Sequence, residues 1–200
     1  MSELNESAQI KYKADKDGGY TYEDYASWDD DKRRELIQGV PYAMTSPTIA
    51  HQGIIRELLL QIGGFLRGKP CVVFPAPFDV RLHANATDDT VVQPDLTVVC
   101  DRSKLSDGKN CKGAPDFIIE ILSPSTARHD RLLKLNLYQD AGVQEYWIVD
   151  PDTRLTETYV LEDGKYSFTR YSDDADIASY VINGLMVDMR LVFADILEST

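Results

Sequence analysis

Apolar residues recur along this chain with two distinct rhythms. Across residues 50–66, Ile54, Ile55, Leu58, Leu59, Ile62, Phe65 and Leu66 return every three or four positions, which predicts one amphipathic helix. Gly63-Gly64 weakens its end, and Gly68 and Pro70 stop it. Further on, the pattern is continuous rather than periodic. Phe117-Ile118-Ile119-Glu120-Ile121-Leu122 and residues 145–149 are runs expected of strands buried on both faces. Between them, residues 125–140 read as a helix closed by Ala141-Gly142. Strand, helix and strand in that order predict a βαβ crossover. Alternating patterns predict hairpins at residues 34–44 around Gln38-Gly39, at 155–161 with 165–171 around Asp163-Gly164, and near Asn183-Gly184.

Weaker signals fill the gaps. Thr21 reads as the N-cap of a short helix through Trp28, with Asp24 at the capping-box position. Residues 71–74 and 78–83 are strand-like pieces split by Pro75 and Pro77. Residues 91–100 contain a further strand with Asp95 at its mouth, and a polar loop follows over 101–115. Residues 1–19 read as a loose tail and 20–200 as a single domain, without repeats or a linker.

Composition narrows the class. The chain has 200 residues, is 43% hydrophobic, and carries a net charge of −12. The length and apolar content suit one globular core. The acidity counts against a protein that coats nucleic acid, while leaving room for a local basic groove. The three cysteines, Cys71, Cys100 and Cys111, have no metal-ligand spacing and read as reduced, semi-buried thiols of a cytoplasmic protein. No apolar segment has the length of a membrane span, and the polar N-terminus has no signal-peptide core. Trp28 and Trp147 read as core or rim aromatics.

One charge inside an apolar run needs a reason. Glu120 would cost several kcal/mol to bury alone, so it is either paired with a cation or set in a functional site. Asp95 precedes its strand and could converge on Glu120 if the two strands are neighbours. Two carboxylates about 4 Å apart repel by roughly 4 kcal/mol at an effective dielectric near 20, so they would share a proton or hold a cation. Oxygen donors without Cys or His favour Mg²⁺ or Mn²⁺. Lys134 follows on the next helix, in a row with Asp130 and Tyr138 and beside Arg128, His129 and Arg131. Its plain alternative is a surface pair with Asp130, worth a few tenths of a kcal/mol. Walker, GxGxxG, GxSxG and HExxH templates are all absent.

The segments Val-Gln-Pro-Asp-Leu-Thr-Val-Val (92–99), Phe-Ile-Ile-Glu-Ile-Leu-Ser-Pro-Ser-Thr (117–126), Asp130…Lys134…Tyr138 and Ala-Gly-Val-Gln-Glu-Tyr-Trp-Ile-Val-Asp-Pro (141–151) stand in one order. Together with Glu-Leu-Ile-Gln-Gly (35–39), Ser-Pro-Thr-Ile-Ala-His (46–51) and Gly-Leu-Met-Val-Asp-Met (184–189), they resemble the Uma-type family of restriction endonucleases within the PD-(D/E)XK nuclease superfamily. The resemblance spans roughly residues 20–197. It implies an α/β fold: a restriction-endonuclease-like mixed β-sheet core with flanking helices and peripheral β-hairpins.

It further implies an endonuclease hydrolysing phosphodiester bonds in DNA. Asp95, Glu120 and the Ile121 carbonyl would be the ligands of Mg²⁺ or Mn²⁺. The chain departs from the superfamily pattern at Glu120-Ile121-Leu122, where the strand lysine of Glu-x-Lys is missing. The resemblance assigns that amine to Lys134, and gives Glu35 a place in the metal or water network. His51 reads as a capping or packing histidine, with participation in the site left open. The rival reading is a non-catalytic binding or assembly protein that keeps the nuclease fold. Monomer and homodimer are both left open.

Overall fold

The structure is a computed structural model that describes residues 18–123 and 130–194. Its elements, in chain order, begin with α1 (Tyr22–Ser27), the β1–β2 hairpin (Arg34–Ile37, Val40–Ala43) and the long helix α2 (Ile49–Leu66). The strands β3 (Val72–Pro75), β4 (Val80–Arg81), β5 (Val91–Val92), β6 (Leu96–Val99), β7 (Cys111–Lys112) and β8 (Phe117–Ile121) follow. After a π turn at Asp130–Lys134 come α3 (Leu135–Ala141), β9 (Glu145–Asp150), β10 (Leu155–Glu162) and β11 (Lys165–Tyr171). The last described elements are β12 (Asp176–Ala178), β13 (Met186–Asp188) and α4 (Met189–Ala194).

The central sheet has the order β11-β10-β9-β8-β6-β3. β8 and β9 run parallel, as a crossover requires, and their neighbours pair antiparallel. Side chains alternate between the sheet's two faces, and helices cover both. Phe117, Ile119 and Trp147 face Ile54, Leu58 and Ile62 of α2, with Val192 and Phe193 of α4 beside them. Ile118, Ile148 and Tyr146 face Leu137 and Tyr138 of α3 and Val80 and Val92 of a second sheet. That double covering is why the β8 sequence is almost unbroken in its apolarity.

The second sheet, β2-β1-β5-β4-β7, packs over the α3 side. Its hairpin turns at Gln38 and Gly39, with φ of 49° and 76°, as the sequence predicts. Gly39 is also needed for space, because a β-carbon there would come within 3.0 Å of the Gly19 backbone. The capping box of Thr21 and Asp24 forms as read, and Gly142 closes α3 with φ of 88°.

Four readings are corrected. The segment 91–100 is two strands in two different sheets, divided at residues 93–95, because Gln93 leaves the ladder to bond Glu35, Tyr25 and Asp79. Only Val80–Arg81 of 78–83 is strand. The 101–115 loop holds a 3₁₀ turn at Arg102–Leu105 and the short strand β7, which pairs parallel with β4. Cys71 and Cys100 are joined in a disulfide with an S–S distance of 2.08 Å, while Cys111 is a buried free thiol. The β3–β6 register sets Val72 opposite Val99, so the next pair outward is Cys71 and Cys100. No helix among the described residues is long and apolar enough to cross a membrane.

Candidate active site

The β6–β8 ladder ends on the pair Leu96 and Ile119. Asp95 precedes Leu96 and Glu120 follows Ile119, and Asp95 Oδ2 accepts the backbone amide of Ile121, the residue after Glu120. Glu120 shares its face of the sheet with Ile118, on the α3 side, and is 4% exposed. Its Oε1 accepts the Lys134 ammonium at 2.8 Å and the Tyr138 hydroxyl at 2.8 Å. Lys134 and Tyr138 lie one helical turn apart, so both reach the same oxygen. Burial, and then the Glu120 charge, push the Tyr138 phenol well above its usual pKa, which keeps it a hydrogen-bond donor.

Lys134 also donates to Glu35 Oε1 at 2.9 Å, and it is itself only 4% exposed. Its ammonium therefore bridges a carboxylate of each sheet in a buried network, while the side chain of Asp130, the partner read from the sequence, lies outside the described residues. The π turn that ends at Lys134 is a rare backbone form that is frequent at functional sites. Glu35 Oε1 accepts the Gln93 amide as well, at 2.9 Å. Gln93 is held in turn by its own side chain, which donates to Asp79 at 2.9 Å and accepts from Arg33 at 2.9 Å. Beside it, burial and the Asp79 carboxylate raise the Tyr25 phenol far above its usual pKa.

Asp95 is fixed from two sides. Its Oδ2 accepts the Ile121 amide at 2.7 Å and lies 3.1 Å from His51 Nε2. His51 sits in the first turn of α2, where Thr48 caps its backbone amide, and its Nδ1 is buried with no hydrogen-bond partner among the described residues. The capping contact that the sequence suggested is thus made by the backbone, while the imidazole points to Asp95. Glu35, His51, Asp95, Glu120 and Lys134 all line one cavity of about 400 Å³, with Arg33 and Arg56 also on its wall.

Of the basic cluster read beside Lys134, one member is seen to point elsewhere. Arg131 turns to Glu157 and Asp150 instead, and Arg128 and His129 lie outside the described residues. The positive charges of the cavity come from Lys134, Arg33 and Arg56. Sequence reasoning gave Tyr138 and Gln93 no role in the network and left that of His51 open. Tyr138 had a signal, since it lies four residues after Lys134; His51 and Gln93 reach partners far away in sequence.

Asp95 and Glu120 bring two carboxylates to the wall of one cavity, and a divalent cation held by both would offset their repulsion. Among the described residues, no three His, Cys, Asp or Glu side chains are grouped closely enough to form a ready ligand cage. Two hard carboxylates with a backbone carbonyl suit an ion that keeps part of its water shell, as Mg²⁺ does, better than they suit Zn²⁺.

A family model described as "Uma2: Putative restriction endonuclease" matches residues 22–190. The uncharacterized protein slr1290 of Synechocystis sp. is 28% identical over 165 residues, covering 78% of this chain and 84% of that one. A crystal structure from Anabaena variabilis, described as "a putative nuclease belonging to DUF820", superposes with a TM-score of 0.72 at 19% identity. The match covers 89% of this chain and 99% of that one, and at such identity it establishes the shared fold.

Proposed function

The chain belongs to the Uma2 family, described as "Putative restriction endonuclease", and shares the fold of a protein described as "a putative nuclease"; we propose that it is a Mg²⁺- or Mn²⁺-dependent endonuclease hydrolysing phosphodiester bonds in DNA. One observation carries this reading. Asp95 and Glu120 line the same cavity as Lys134, whose ammonium bonds Glu120.

In this reading Asp95, Glu120 and the Ile121 carbonyl hold the ion. When bound, it supplies Lewis acidity at a phosphoryl oxygen and lowers the pKa of a water. The chain's own residues do the positioning. The Ile121 amide and His51 fix the Asp95 carboxylate, and Tyr138 fixes that of Glu120. Lys134, migrated from the strand to the following helix, presents its ammonium to the charge that develops on the phosphoryl group. Glu35 holds the ammonium in place.

The test is cleavage of a supercoiled plasmid by the full chain with Mg²⁺, with Mn²⁺ and with EDTA. The expected result is nicked or linear product with either metal and none with EDTA. Asp95→Asn should lower the rate by roughly 10²–10⁴, the usual worth of a positioned electrostatic group. A plasmid left intact under every condition would remove the catalytic reading in favour of a binding protein on the nuclease fold.

A further inference from the structure

The acidic residues of this chain are not spread evenly. Of its 33 Asp and Glu residues, only Glu57 falls within residues 46–78, the stretch that contains α2 and β3. Glu57 is half-buried and accepts from Gln61, whose amide also bonds the backbone of Asp188. It therefore belongs to the side of α2 that faces the β12–β13 hairpin. The outer ridge of the helix is a different surface. Gln52, Arg56, Leu60, Gly64 and Arg67 are exposed at helical spacing, and none of them is acidic.

Arg56 and Arg67 are eleven residues apart, so they point within about 20° of each other and lie about 16 Å apart along the axis. Arg56 lines the cavity that holds Asp95 and Glu120. Arg67 lines a shallow groove of about 480 Å³ at the other end of the helix, together with Leu60, Gly64, Lys69 and Arg102. The two hollows share Leu59. Lys69 and Arg102 are both anchored there: Lys69 Nζ sits 3.0 Å from the Phe65 ring centre, and Arg102 donates to the Pro70 carbonyl at 2.8 Å. Between the arginines, a β-carbon at Gly64 would meet nothing within 4 Å, so the helix backbone is open to close approach. Leu60, 62% exposed, offers an apolar surface at the middle of the ridge.

We propose that this ridge, continued by Lys69 and Arg102, is a phosphate-binding track that leads one strand of a DNA duplex to the Asp95–Glu120 cavity. The proposal rests on the reading of that cavity as a nuclease site. Successive phosphates of one strand rise about 3.4 Å along the duplex axis while winding around it, so a straight ridge about 16 Å long faces a few of them at a time. In a chain of net charge −12 the track also explains how a polyanion is accepted: it meets the one long stretch from which acidic residues are nearly absent.

The test is binding of a fluorescein-labelled 30-base-pair duplex by the full chain in EDTA, followed by anisotropy across a salt series. Arg67→Glu combined with Lys69→Glu, both exposed, should weaken binding at least tenfold and lower the salt slope by about two. Arg154→Glu combined with Lys165→Glu makes the same charge change on the β10–β11 side and should shift the Kd less than twofold. Equal effects of the two pairs, or no binding by the unaltered chain, would overturn the track. A change in sedimentation mass of the Arg67/Lys69 variant without a change in duplex affinity would also overturn it, in favour of contact between two copies of this chain. Hydrolysis of bis(p-nitrophenyl) phosphate by the unaltered chain with Mn²⁺ reads the cavity separately. No hydrolysis together with Arg67-dependent binding would remove the cutting reaction and keep the track; hydrolysis with Arg67-independent binding would remove only the track.

Discussion

Lys134 is the residue on which the site is assembled. Its ammonium sits between Glu35 and Glu120, at 2.9 and 2.8 Å, in a place with almost no access to water. Replacing it by methionine would strand two buried carboxylates, and breaking a buried pair costs about 3–5 kcal/mol. A surface lysine paired with Asp130 would cost only a few tenths. Lys134→Met should therefore lower the unfolding free energy in urea by several kcal/mol while also slowing cleavage. Adding Glu35→Gln to that variant should return part of the stability, since it removes one stranded charge, but none of the activity. A Lys134→Met protein as stable as the original would show that the bridge contributes nothing. The sequence could mark Lys134 because it lies on the helix after the Glu120 strand. It could not show the pairing with Glu35, which comes from a different sheet 99 positions away.

The elements show a similar divide between local and distant causes. Glu157 of β10 is held by Arg131, just before α3, and by Arg170 of β11, so it ties the π turn and the hairpin together. Burial raises its pKa, but the bonds from Arg131 and Arg170 outweigh this, and the carboxyl ends below its ordinary value. A depressed native pKa gives stability that is fully present above the ordinary carboxylate range, near 4.3, and is lost as pH falls through the native value. Unfolding in urea at successive pH values should show that loss below about pH 4, and Glu157→Gln should flatten it. An unchanged acid limb in the variant would mean that other carboxylates set it.

The elements legible in the sequence were those whose cause is local: the apolar stripe of α2, the continuous runs of β8 and β9, and the left-handed turns at Gln38-Gly39 and Asp163-Gly164. The break between β5 and β6 was not legible, because Gln93 is drawn out of the ladder by residues up to 68 positions away. β7 depends on a parallel partner in β4, and the disulfide depends on the β3–β6 register.

For the whole molecule, the question is how a chain of net charge −12 accommodates a negatively charged substrate. The distribution answers it. Between Asp152 and Glu198 there are ten acidic and four basic side chains, so that quarter of the chain carries half of the excess. The stretch with α2 and β3 carries one acidic residue, and the inner cavity concentrates three carboxylates where a cation is wanted. Acidic surface and acidic site must be told apart, because both attract divalent ions. A crystal of the full chain soaked in Mn²⁺ and measured for anomalous scattering separates them directly. The expected result is a peak between Asp95 and Glu120, about 2.0–2.4 Å from an oxygen of each, and no such peak in an Asp95→Asn crystal. Peaks confined to the acidic C-terminal surface, with none at the Asp95–Glu120 strand ends, would contradict it.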